Sequence, residues 1–491
     1  MGSPDFFRLR AFQAAATSRL TESLAYETEM VNRTLRYQLR MLRARARQAC
    51  QNNAYAKRWA AMVAANVAGP TPFKLQAKAK FANGRLDTTA NARLEEAWRE
   101  WGRRGNCEIS GRWSLAQVLR TIVRTLAVDG EALVRMRTGK GPLGLALELI
   151  DVDRLDEQHN VELPGGGAIV MSVELDADGR IVAYHLLNRR PAQLMHGTDA
   201  PKERVRVPAE QMLHLFIPDS AEQVRGVPWL YAALLNLVHL GAFEEAAVIA
   251  ARVGASQMGF LETPDGEPPG IGAAQDANGN PLIDAEPGAF PVLPAGMKLA
   301  GWNPKYPDAA VEPFLRACLR GVAAGLDVAY HNLTGDMTQV NYSSARIAEL
   351  DERDMWTTVQ GFVIEHLMEP LFLRWLDVAR LTNRLPAETG RLSRPGAVQF
   401  QGRRWAWVDP QKEVEASVIA IENGLKSRTR VAAEQGEDLE DILDEIAAEQ
   451  QMAADKGVRI GPAAPAEPEP EEPEEPEEPE EAEEPEEAED E

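Results

Sequence analysis

WLYAALLNLVHLGAFEEAAVIAARVGA, residues 229–255, is the stretch whose reading decides the fold. It contains no proline, and a continuous α-helix of this length runs about 40 Å. Its first half is apolar nearly all round, and a helix with little polar face is normally covered on all sides. In a chain of 491 residues the cover can come from the same subunit or from neighbours in an oligomer. Downstream, residues 256–308 are rich in Gly and Pro (PDGEPPGIGAAQDANGNP, then FPVLPAGMKLAGWNPKYP) and break the helix, with room for short strands such as Met258–Glu262. Helicity resumes over 310–330, where Val311, Phe314/Leu315, Cys318/Leu319, Val322 and Leu326 form one stripe. The deciding pattern is therefore helix, irregular excursion, helix.

On the N-terminal side, residues 128–217 read as strands. LALELID (Leu145–Asp151) alternates, and QMLHLFIP (Gln211–Pro218) is a further candidate. IVMSVELD (Ile169–Asp176) and IVAYHLLN (Ile181–Asn188) flank an Asp-Gly at 178–179, a strong hairpin signal because Gly tolerates positive φ. LPGGGA (Leu163–Ala168) reads as a hairpin loop. Further upstream, residues 21–68 are helical and basic: Arg33, Arg36, Arg40, Arg43, Arg45, Arg47, Lys57 and Arg58 stand against few acids. They form either a solvated helix face or a surface for an acidic partner or a phosphate backbone.

On the C-terminal side, His331–Ser344 reads as a polar loop and Ala345 to about Arg380 as a helix. Ser343–Ser344 are its candidate N-caps, and Pro370 should kink it or end its first part. Residues 411–455 read as short amphipathic helices, one with Val414, Val418 and Ile421 ended by Gly424, another with Leu439, Ile442/Leu443 and Ile446. Residues 461–491 are Pro-Glu low complexity with almost no apolar side chain, a composition expected to be disordered.

The formal net charge is −22, but residues 467–491 hold 17 acids and no base, which leaves −5 on residues 1–466. This balance argues against a classical basic nucleic-acid binder, since its affinity comes from Lys and Arg neutralising phosphates. The three cysteines, Cys50, Cys107 and Cys318, give neither a disulfide framework nor a CxxC metal site. MGSPDFFRLRAF lacks the long apolar stretch of a secretory signal. The apolar run Gly226–Phe243 includes Pro228, Asn236 and His239 and is followed by Glu244–Glu245, a poor membrane span. The reading is a soluble protein with no membrane partner, made in a reducing compartment.

Catalytic motifs are missing. There is no GxxxxGK[ST], HExxH or GxSxG, and the seven histidines are dispersed; His185 and His214 sit in strand patterns as structural residues. Asp151-Val152-Asp153 places two carboxylates on one face of an extended chain, as a Mg²⁺-dependent nuclease does, but a turn after a strand with solvated acids is the better reading. The residues point to a structural or interaction protein, with no enzyme activity and no cofactor or metal.

Six stretches in order resemble the portal proteins of tailed bacteriophages, of the lambda-like type. They are Leu42–Gly69 with its Arg-rich helix and following turn; Asp129-Gly130-Glu131 with LELIDVDRLD (Leu147–Asp156); DADGRIVAYHLLNRRP (Asp176–Pro191); Val207–Leu234 with the Gln-x-Arg-Gly-x-Pro core at Gln223–Pro228; Val340–Arg346; and Trp405–Pro410 with Gly424–Arg428. The family pattern often has Asp-Leu where Gln48-Ala49 stand here, and the Pro-Glu tail is foreign to it.

The resemblance implies an α+β, mainly helical portal fold. It assigns an N-terminal helical arm (1–59), an α/β, β-rich wing (60–228), stem helices (229–255 and 309–330), a small α/β clip (256–308) and a tunnel loop (331–344). A tunnel helix and wing return (345–410), crown helices (411–460) and an acidic tail (461–491) follow. It implies a homo-oligomeric ring, usually twelvefold, at one capsid vertex of the virion, assembled in the host bacterial cytoplasm. Its bore passes double-stranded DNA non-specifically during packaging and ejection. The implied partners are the terminase large subunit, the major capsid and scaffold proteins and a head–tail adaptor. Within that frame Trp229, Leu234, Leu235, Val238 and Leu326 are expected at subunit contacts. Asn332, Thr334, Asp336, Met337, Thr338, Gln339 and Asn341 are expected at the DNA channel. The tail is either a solubilising extension or a docking arm for a basic surface. The competing readings are another head morphogenesis protein, such as an adaptor or minor head protein, and the Asp151/Asp153 nuclease.

Overall fold

In the computed structural model, the structure describes residues 30–70, 73–81, 83, 85–188, 203–255, 259–262, 298–301, 311–338, 340–383, 385, 397–405, 410–435 and 437–458. The Pro-Glu tail, most of the 256–308 excursion and Gln339 lie outside them. The chain divides into two units, residues 1–408 and 409–491.

The first unit begins with helix α1 (Val31–Asn52) and α2 (Ala54–Val67). The sequence read these as one helix. Asn53 takes an extended φ/ψ and its side chain accepts from the Tyr55 and Ala56 amides, so it ends one helix and caps the next. Strand β1 (Lys74–Ala77) and helices α3 (Thr88–Trp101) and α4 (Leu115–Asp129) follow. Ser114 and Gln117 form a capping box at the start of α4, which runs to Asp129, where the sequence placed a strand from Val128.

After Gly130 the chain enters two antiparallel sheets. Strands β2 (Glu131–Thr138) and β3 (Leu145–Ile150) pair with each other. Strands β4 (Val161–Glu162), β5 (Ala168–Val170), β6 (Val173–Leu175), β7 (Ile181–Leu187) and β8 (Arg204–Pro208) form a five-stranded meander in sequence order. Strand β9 (Met212–Phe216) returns to the other edge of β2. The Asp-Gly hairpin forms as read: Gly179 has φ +80° and Asp176 accepts from the Asp178 and Arg180 amides. IVMSVELD, read as one strand, is two. Met171 and Ser172 both have positive φ and turn β5 back into β6. A cluster of Leu133, Ile150, Leu155, Val173, Tyr184, Leu186, Val207 and Met212 joins the two sheets.

Helix α5 (Tyr231–Ala255) is the long apolar helix. Strands β10 (Gly259–Glu262) and β11 (Lys298–Gly301) pair antiparallel across the excursion. Helix α6 (Val311–Gly325) ends five residues before the expected 330, and a short α7 (Tyr330–Thr334) follows. Helix α8 (Tyr342–Val363) passes through a single π turn (Ile364–Met368) into α9 (Glu369–Leu381). Pro370 therefore neither ends nor breaks the path: it sits in the first turn of α9, where its missing N–H costs least. Strand β12 (Val398–Gln401) pairs with β1 more than 300 residues away in sequence. The core beneath these elements is rich in tryptophan. Trp98 packs on Trp101, Phe372, Trp375 and Phe400, with ring centroids 4.9–6.0 Å apart. Trp59 and Trp101, fully buried, donate to the Leu326 and Leu145 carbonyls, which removes the cost of burying an indole N–H.

The second unit contains α10 (Pro410–Glu422), α11 (Arg428–Glu434) and α12 (Leu439–Lys456). The sequence foresaw the outer two helices. Ser427 caps α11, a helix too short to show a stripe.

Candidate functional site

Four of the sequence stretches singled out above meet at one buried carboxylate, Glu131, at the start of β2. Arg225 reaches it through Nε (3.0 and 2.9 Å) and Nη2 (2.5 Å), His214 Nε2 lies 2.9 Å from its second oxygen, and Arg43 Nη1 lies 3.1 Å from its first. The Gly226 amide also donates to it at 3.2 Å. Arg43 continues to Asp153 and Glu157, and Arg47 grips Asp129 with two bonds (2.7 and 2.8 Å) and reaches Asp153 and Asp151. Burial alone would push the Glu131 carboxyl up. Arg225 and His214 outweigh it and hold Glu131 well below the usual carboxylate range. Burial pulls Arg43 below the ordinary guanidinium value.

This network corrects two readings. The Arg-rich helix face is neither simply solvated nor a landing site for an outside partner at Arg43 and Arg47; its acidic partner is the chain's own sheet. Arg43 is 1% exposed and occupies the same face of α1 as Leu35, Leu39, Ala46 and Cys50. Asp151 and Asp153 turn their carboxylates to arginines, so they present no open metal-binding pair; among the described residues no cluster of His, Cys, Asp or Glu could hold a metal ion.

Glycines make the same junction possible. Gly130 has φ +84°, and a Cβ there would overlap Val227, while a Cβ on Gly226 would overlap the Gly130 carbonyl. The two backbones touch directly, which lets Arg225 and the Gly226 amide reach Glu131. Gly226→Ala is expected to lower the midpoint of thermal unfolding by about 3–4 °C (about 3 kcal/mol by overpacking), measured by circular dichroism; an unchanged midpoint would mean that this junction is loose.

Around α5 the interface candidates separate into two groups. Leu234 is 8% exposed and Leu326 5%, both packed in the chain's own core, and Trp229 packs half-buried against it. Leu235 and Val238 are 67% and 64% exposed. Val248, Ile249 and Tyr231 are exposed on the same helix. By length and composition Tyr231–Arg252 could cross a membrane; it carries Glu244, whose carboxylate accepts from Tyr55, and Glu245.

The channel candidates lie in α7 and the turn after it. The sequence read His331–Ser344 as loop throughout, but His331–Thr334 are helical and α8 starts at Tyr342, capped by Asn341 rather than by Ser343 or Ser344. Asn332 donates to Glu352 (2.9 Å), Thr334 to the Tyr330 carbonyl (2.8 Å), and Asn341 accepts from the Ser344 amide (2.8 Å). Asp336 accepts from Tyr330 (2.8 Å) and from the Thr338 hydroxyl and amide (2.6 and 3.0 Å), with Arg316 at 3.6 Å. The Thr338 hydroxyl and amide, then Tyr330, hold the Asp336 carboxyl at about 2. Asn332, Thr334, Thr338 and Asn341, expected at the channel, are thus engaged in shaping this stretch of the chain. Met337, 60% exposed, stands outward.

The chain matches the description "Phage portal protein, lambda family" over residues 17–360. It belongs to the lambda family of phage portal proteins. A probable portal protein of Halomonas phage phiHAP-1 is 33% identical over 411 residues, 83% of this chain and 79% of that one. Portal protein B of Escherichia phage lambda is 23% identical over 397 residues, 71% of each chain. Among solved structures, the neck of the native gene transfer agent particle computed with C12 symmetry covers 82% of this portal chain and 94% of its own at 15% identity and TM-score 0.44. An HK97-family portal protein from Corynebacterium diphtheriae covers 76% and 98% at 13% identity and TM-score 0.33. Family membership decides against the adaptor and minor-head readings. The sequence singled out the Asp-Gly-Glu and Gln-x-Arg-Gly-x-Pro stretches by resemblance only; what it missed is that they and the Arg-rich helix form one electrostatic junction.

Proposed function

We propose that identical copies of this chain close into a ring of twelve at one capsid vertex, assembled in the host cytoplasm. Its bore is the path for double-stranded DNA during packaging and ejection. The observation that carries this reading is the exposed apolar face of α5. Leu235 and Val238 stand in water on a helix whose other face is buried, and a heterologous contact that closes by rotation covers such a face in every copy. Lipid is the poorer cover, because Glu244 and Glu245 interrupt the helix midway.

In this reading α5 and α6 form the stem, 256–308 is the clip to which the terminase large subunit and then the head–tail adaptor dock, and the second unit is the crown. Capsid and scaffold proteins surround the ring. The turn at 335–341 faces the DNA. A bore must hold a polyanion without gripping it, and each Lys or Arg on a phosphate adds salt-dependent affinity. The turn has no Lys or Arg of its own, and its hydroxyls are engaged with Asp336 and Tyr330. DNA therefore finds few donors there and slides.

Replacing Asp336–Gln339 by Gly-Ser-Gly-Ser releases this turn. The expected result is rings of normal appearance with DNA packaging or retention reduced at least tenfold in a particle assay. Full DNA filling would remove the turn from the channel.

A further inference from the structure

Beside that turn lies a cavity of about 270 Å³ with an unusual lining. It is walled by α2, α7, α8 and the segment after β12, and three arginines enter it: Arg58, Arg353 and Arg403. Two of them approach the same indole, with the Arg353 and Arg403 guanidinium carbons 5.9 and 5.8 Å from the Trp405 ring centroid. Arg403 is tied to Asn66 Oδ1 at 2.9 Å and to the Ala65 carbonyl, and Arg353 to Glu349 at 2.6 Å. The Arg353 Nε is buried with no hydrogen-bond partner. Arg58 is exposed, spends its Nε on the Asn332 carbonyl (2.8 Å), and points its terminal amines toward Gly335. Burial, and then the Arg353 charge, pull Arg403 below the usual guanidinium value.

We propose that this cavity is a phosphate site that takes one backbone phosphodiester of the passing DNA. The inference rests on the reading that the 335–341 turn faces the bore. Guanidinium forks match phosphate oxygens geometrically, and the three arginines outnumber the two acids of the lining, Glu349, which pairs with Arg353, and Glu352, which accepts from Asn332, Trp356 and the Ala329 amide. The turn lets DNA slide, and the cavity beside it offers each subunit one weak grip on DNA at rest. Nothing in the site reads bases, so the grip is independent of sequence.

The test is binding of a short fluorescent DNA duplex to purified full-length rings across a salt series, for the wild type, Arg58→Gln, Arg353→Gln and, as a control on α3, Arg93→Gln. Ring formation is checked by imaging in the same samples. Each pocket variant should weaken binding at least fivefold and lower the log–log salt slope by about 0.9 for each phosphate no longer neutralised, while Arg93→Gln changes neither. Rings that form normally but bind DNA equally in all four proteins, or equal weakening in the control, would overturn the site and leave the portal reading standing. Displacement of the duplex by poly-glutamate at lower charge concentration than by a second duplex would also overturn it, in favour of an acidic protein partner. Should a pocket variant fail to assemble, inorganic phosphate added to wild-type rings should still shift the tryptophan emission saturably; no shift overturns the proposal. Failure of the wild type to form rings would instead refute the underlying reading.

Discussion

Glu131→Ala should cost about 3–5 kcal/mol of folding stability, the usual range for breaking a buried ion pair from one side. The carboxylate is fully buried, and among the described residues its removal leaves Arg225 buried with no carboxylate partner and Arg43 with Asp153 and Glu157. A typical domain has about 5–15 kcal/mol in total, so α1 should come away from the sheets well below the wild-type melting temperature. Urea unfolding followed by tryptophan fluorescence measures this, and a change under about 1 kcal/mol would show the network to be ornamental. The wild type should also lose stability in acid. Burial raises the Glu131 carboxyl, but Arg225 and His214 hold it below the ordinary range, so its contribution is complete above the unfolded value of about 4.3, declines as pH falls from there towards the depressed folded value, and is gone below it.

The second large effect concerns assembly. Leu235→Asp with Val238→Asp should convert rings into 54.0 kDa monomers. Both side chains are exposed in the subunit, so the fold tolerates the carboxylates, while a dry contact between copies does not. Leu234→Ala and Leu326→Ala should do the opposite, lowering stability by about 2–5 kcal/mol with rings still forming, because these leucines belong to the subunit's own core. Sedimentation and thermal melts on the variants and the wild type separate the two behaviours. If Leu235 and Val238 to Asp leaves the oligomer intact, α5 does not carry the contact.

Local pattern was enough wherever one element explained itself. The apolar run of α5 and the Asp-Gly hairpin were legible because periodicity and turn chemistry act over a few residues. Arg43 was not legible. A basic residue on a basic helix reads as solvated, and the carboxylates that justify its burial lie 88 and 110 residues away. The turn at Met171–Ser172 was hidden for a related reason. Alternation runs straight through IVMSVELD, and neither residue announces a positive φ. The turn is held from outside: the Met171 amide donates to Asn160 Oδ1, and Arg225 donates to the Met171 carbonyl. At Pro370 the sequence led to an expected kink or stop, but a π turn just before it carries the helix path through. The turn at 335–338 was legible in composition, but residue types alone do not tell that Thr334 donates to the Tyr330 carbonyl and Thr338 to the Asp336 carboxylate.

Negative-stain imaging of the purified full-length chain tests the central claim most directly. The account predicts closed annuli with a central hole wide enough for duplex DNA. Separate globules at every protein concentration would contradict it.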